Sequence, residues 1–156
     1  MSAPGALHQA REQVLADVAA LAGFYIDVVF AEGQRPDIVR LHHQRPALLV
    51  GDAKATESPS CEATRSRLTR YFRTGRNWSD AGFGIRVALC HGPADPERWA
   101  RLLRCAADDA QCRRIGAVDN ACIDANTTVT WVDIRESMVT TTPWSDQVRP
   151  RRRYAQ

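Results

Sequence analysis

An apolar run that stops at a charged triplet constrains this chain more than any other feature. Ala47-Leu48-Leu49-Val50 leads into Gly51-Asp52-Ala53-Lys54. Upstream lie Arg35-Pro36-Asp37-Ile38-Val39-Arg40 and a polar turn, His42-His43-Gln44-Arg45-Pro46. The two apolar stretches read as short strands joined by that turn. Side chains two apart on a strand share a face, so Asp52 and Lys54 project together while Ala53 points away. If the strands pair, Asp37 joins them, and two carboxylates meet one ammonium. Lys54 is notable in itself: of 21 basic residues it is the only lysine, the other 20 being arginine. An ammonium is a compact charge whose proton affinity its surroundings can lower, whereas a guanidinium keeps its proton. A lone lysine beside two aspartates points to chemistry that arginine does not perform.

The remaining elements follow from periodicity and stop signals. Leu7, Ala10, Val14, Val18 and Leu21 are spaced as one face of a helix over 6–22, ended by Gly23. On that wheel Glu12 lies nearly opposite the apolar stripe and faces water. Phe24 to Phe30 reads as a strand, and Glu32-Gly33-Gln34 as a turn. Ser58-Pro59 predicts a helix start, with Gly75 as its stop and residues 76–82 as a loop. Ile85 to Cys90 is a further strand. Asp95-Pro96-Glu97 repeats the helix-start signal, and Val129 to Ile134 is the last strand. Periodicity alone therefore gives an α/β domain.

Pro36-Asp37 and Asp52-Ala53-Lys54, the latter ending an apolar strand, resemble the signature of the PD-(D/E)XK nuclease superfamily over about residues 7–75. The resemblance implies a restriction-endonuclease-like α-β-β-β-α-β core, a mixed central sheet flanked by helices. It also implies a metal-dependent endonuclease that hydrolyses DNA phosphodiester bonds. Asp37, Asp52 and the backbone carbonyl of Ala53 would hold Mg2+ (or Mn2+), a hard cation that takes oxygen ligands and activates water. Lys54 would position the attacking water or help to deprotonate it; both roles stay open. Junction-resolvase-type members add a glutamate from the first helix, the place of Glu12 here. The plain alternative for Asp52 and Lys54 is an ion pair at a strand end. In another class, the chain would be a non-catalytic nucleic-acid-binding or assembly subunit keeping the nuclease fold. The intact Asp37, Asp52 and Lys54 speak against that.

Net charge is only +3, so the distribution of arginine says more than its sum. Arg65, Arg67, Arg70 and Arg73 fall on the helix after the motif, and Arg151, Arg152 and Arg153 in a basic stretch. These are the candidate nucleic-acid contacts, because the guanidinium fork grips phosphate with two hydrogen bonds. Residues 1–142 read as a single nuclease-like domain and 143–156 as a basic C-terminal arm. Tyr71 and Trp78 suit either base stacking or core packing. His42 and His43 sit in the strand turn, where a solvated turn is the default and contact with DNA the alternative. Five cysteines at irregular spacing form neither a disulfide framework nor a zinc motif. No apolar run approaches the ~20 residues that span a bilayer, and no basic-then-apolar leader opens the sequence. The expectation is a cytoplasmic protein with no membrane association. A chain of this size would need a second copy or a partner protein to cut both strands of a duplex.

Overall fold

The computed structural model describes residues 5–56 and 58–134. The basic stretch with Arg151, Arg152 and Arg153, and Glu57, lie outside the described residues. The elements run α1 (Ala6–Leu21), β1 (Phe24–Asp27), β2 (Ile38–His42), β3 (Ala47–Ala53), α2 (Glu62–Asp80), β4 (Gly84–His91), α3 (Pro96–Asp109), β5 (Asp119–Asp124) and β6 (Thr127–Ile134). Among the described residues six strands join one mixed sheet in the order β1-β2-β3-β4-β6-β5. β3 and β4 are parallel, with α2 as their crossover, and the other neighbours are antiparallel. The protein is thus an α/β domain with helices on both faces of a mixed sheet. Among the described residues no helix is long and apolar enough to cross a membrane.

Strand β3 is buried along its whole length, as a central strand covered on both faces must be. Its alternation divides the core. Leu48 and Val50 pack with Leu68, Phe72 and Leu103 of α2 and α3, whereas Ala47 and Leu49 pack with Leu15, Val18 and Ala19 of α1. Extended two residues further, the same alternation sends Asp52 towards α2. Gly51 lies under α1: a Cβ there would stand 2.8 Å from Leu15 Cδ2 and 3.0 Å from the Ala88 carbonyl oxygen. The missing side chain lets the helix sit close to the strand.

Several sequence expectations are corrected. Helix α1 buries Arg11, Leu15, Val18 and Ala19, while Leu7 and Leu21 are exposed. The buried face is thus rotated from the expected stripe, sharing Val18 with it and taking in Arg11. The Arg11 guanidinium is buried, donating to the carbonyls of Lys54 (2.8 Å), Ala55 (2.8 Å) and Asn126 (3.0 Å). Strand-end and turn carbonyls need donors, and one arginine supplies three of them. Strand β1 ends at Asp27, short of Phe30. Ser58 does not cap α2: its hydroxyl is used in a local turn with Ser60, and the helix starts at Glu62. Nor does Gly75 stop that helix, which runs on to Asp80 through part of the expected loop. Gly75 is where the helix presses on the sheet, since a Cβ would meet Ile134 Cδ1 at 2.9 Å and Ile85 Cγ2 at 3.1 Å. Helix α3 does begin at Pro96, but Asp95 makes no side-chain capping bond. Strand β5 was missed because Asp119-Asn120-Ala121-Cys122-Ile123-Asp124 lacks a β-branched run; it is held as an edge strand by β6.

Candidate functional site

The site forms where β2 begins and β3 ends. Ile38 pairs with Gly51, which places Asp37 next to Asp52. The two acids brace each other through backbone groups. The Asp37 N–H donates to Asp52 Oδ1 at 3.1 Å, and the Ala53 N–H donates to Asp37 Oδ2 at 2.8 Å. These bonds extend the strand ladder one step beyond its regular end and fix both carboxylates. Asp37, Asp52 and Lys54, apart in sequence, are brought together as the hairpin reading requires.

The carboxylates nonetheless face different neighbours. Asp37 turns to α1, where His8 Nε2 lies 3.0 Å from its Oδ2. Glu12, one turn further along, has an Oε2 at 3.7 Å from His8 Nδ1. Glu12 therefore flanks the site beside His8 while its side chain, 41% exposed, still reaches solvent. His8 was not singled out in the sequence. The signal that finds it is its i, i+4 spacing to Glu12, which stacks the two side chains on one helix face. Ligand atoms of His8, Glu12 and Asp37 all lie within 4.8 Å of one another. Among the described residues this is the group of His, Cys, Asp or Glu side chains close enough to share a cation, and Asp52 is outside it.

Asp52 turns to α2 and is 1% exposed. The Tyr71 hydroxyl lies 3.1 Å from each of its oxygens. Arg67 Nη2 is 3.4 Å from Oδ2, and Lys54 Nζ is 3.9 Å from the same oxygen. Burial raises the Asp52 carboxyl above the ordinary range, although Arg67, the Asp37 N–H and Lys54 pull it down. Burial also raises the Tyr71 hydroxyl, and the Asp52 charge adds to the effect. Tyr71 is then a hydrogen-bond donor at the site, unavailable for stacking on a base. Lys54 is likewise buried, so both members of the Asp52–Lys54 pair are withdrawn from bulk water.

The other candidates divide. Arg67 touches the site, donating also to the Tyr71 hydroxyl at 3.0 Å. Arg70 and Arg73 are exposed on α2. Arg65 is committed elsewhere, holding Asp109 with bonds of 2.7 and 3.0 Å. Trp78 packs edge-on against Phe83 and donates its indole N–H to the Phe30 carbonyl at 3.0 Å. His42 is buried, accepting the N–H groups of Gln44 and Arg45 in the β2–β3 turn, and burial lowers its pKa. That turn is built around His42, with His43 stacked on it. All five cysteines are free thiols.

No protein-family model matches the chain, and no curated protein or solved structure matches it either.

Proposed function

We propose that the protein is a metal-dependent endonuclease acting on DNA, with the restriction-endonuclease-like core of the PD-(D/E)XK superfamily. One observation carries this reading: Asp37, Asp52, Lys54 and Glu12, drawn from α1 and both strands of a hairpin, meet at one strand end. Carboxylate, carbonyl and imidazole donors fit a divalent cation. Asp37 with Glu12 suits Mg2+, with the carbonyl of Ala53 as the third ligand the family resemblance implies; the imidazole of His8 favours Mn2+. Such a cation supplies relief of charge on the phosphate and a water that is easier to deprotonate.

The chain's own residues do the rest. Ala53 N–H orients the Asp37 carboxylate. Lys54, held against Asp52, presents a positive charge to the reacting phosphate and positions the attacking water. Arg67 and Arg70 receive the flanking strand. Arg65 contributes little to DNA binding because Asp109 occupies its fork. The partner is DNA, with a second copy of the chain or another protein supplying the second cut.

A second reading, a non-catalytic nucleic-acid-binding or assembly subunit, is favoured by one feature: Asp52 is almost wholly enclosed. Digestion of duplex, single-stranded and branched DNA with Mg2+ or Mn2+ separates the two. The nuclease reading expects cleavage that EDTA stops and Lys54→Ala abolishes. Salt-sensitive binding with no cleavage under any of these conditions supports the subunit instead.

A further inference from the structure

Beside Asp52 a cleft of about 310 Å3 opens between α2 and the turn before Asp37, lined by Gly33, Gln34, Arg35, Arg67, Arg70 and Tyr71. Three of these are arginines and none is an acid. We propose that this cleft binds a phosphodiester of a DNA strand, and that the bound phosphate draws Arg67 off Asp52, opening that carboxylate to the cation. The proposal rests on the nuclease reading and adds to it a second anion subsite and a reason for the closed Asp52.

The argument starts from the groups around Asp52. Tyr71 and Lys54 are buried, 2% and 5% exposed. Arg67 differs: its side chain is 39% exposed, and it lines the cleft while its Nη2 rests on Asp52, on the Tyr71 hydroxyl and 3.4 Å from the Arg35 carbonyl. Among the described residues it is the one side chain touching Asp52 that reaches the cleft with a large exposed part. A guanidinium has five donors in a fork that matches phosphate with two parallel bonds. With Arg35 and Arg70 beside it, a phosphate in the cleft outbids a single long contact to a carboxylate. The exchange leaves a buried carboxylate short of positive charge, which is costly unless another cation replaces the guanidinium. Phosphate and metal ion therefore favour each other's binding, and by linkage the favour is equal in both directions. Without DNA, Arg67 keeps the site closed and its metal weakly bound.

The test is Mn2+ affinity of metal-free protein, followed by electron paramagnetic resonance, with and without a short duplex kept intact on ice. Ions taken up by the duplex alone are subtracted. Wild type is expected to bind Mn2+ about tenfold more tightly with duplex, within the usual range of coupling between sites. Arg67→Ala is expected to bind Mn2+ more tightly than wild type without duplex and to gain nothing from adding it. Arg70→Ala and Arg35→Ala are expected to need more duplex for the same gain, each flattening the salt dependence of duplex binding by about one counterion. If Arg67→Ala does not fold, the wild-type and Arg70→Ala titrations decide alone. Mn2+ binding that duplex leaves unchanged overturns this proposal and spares the nuclease reading. No Mn2+ binding in either condition overturns both. The same gain from inorganic phosphate as from duplex at equal phosphate concentration overturns the assignment to a DNA strand.

Discussion

Asp37 and Asp52 are joined by a hydrogen bond, yet one is open and the other closed. Asp37 is part-exposed and looks across at an imidazole and a second carboxylate on α1. Asp52 is sealed, with a phenol, a guanidinium and an ammonium around it. The first setting concentrates electron-pair donors; the second already holds cationic charge. The same side chain thus sits among electron-pair donors in one setting and among cationic groups in the other. Strand alternation accounts for Asp52, whereas Asp37 precedes the regular part of β2 and is turned to α1 by its bonds to the Ala53 N–H and His8.

The contrast can be attacked from either face. The largest effect is expected from Arg11→Ala, which removes three bonds from a buried guanidinium to carbonyls at the strand end. The loss is about 3 kcal/mol of stability, read from urea unfolding, with weaker metal binding because α1 no longer holds His8 and Glu12 in place. An unchanged unfolding midpoint would show that the open side does not depend on this anchor. His8→Ala is expected to lower Mn2+ affinity about tenfold while moving stability by less than about 0.5 kcal/mol. Unaltered Mn2+ affinity in a calorimetric titration would remove the imidazole from the metal group.

The smallest effect is a slope, and it belongs to the closed side. The Asp52 carboxyl is raised in the folded chain, so it takes a proton more readily there than when unfolded. Its contribution to stability is complete below the ordinary carboxylate range and is lost as pH rises through the raised value. Asparagine has no such proton. Asp52→Asn should therefore gain on wild type as pH rises from the ordinary aspartate range through that value, whatever the offset between them. Unfolding curves across acid pH whose difference stays flat would mean that burial is not what governs this group.

Much of this was legible in the sequence. The hairpin that joins Asp37 to Asp52 and Lys54 follows from two apolar runs and a turn, and strand alternation places Asp52 beside Lys54. The order of helices and strands up to β4 also reads correctly. What sequence did not show depends on partners distant in the chain. The burial of Arg11 depends on the carbonyls of Lys54, Ala55 and Asn126, distant in the chain, and without it the helix face that carries His8 stays hidden. The enclosure of Asp52 depends on Tyr71 and Arg67, which lie one helical turn apart on α2 and are brought over the strand end by tertiary packing. Gly75 reads as a helix stop locally, whereas its use is close packing on Ile85 and Ile134. Strand β5 has no strand-like composition, and pairing with β6 makes it one.

The most direct measurement is Mn2+ binding to metal-free protein by electron paramagnetic resonance, comparing wild type with Asp37→Asn after circular dichroism has shown both to be folded. If Asp37 is the open ligand at this strand end, wild type takes up a cation that the variant does not. Equal uptake by the two proteins, or none by wild type even with duplex DNA present, would contradict the account.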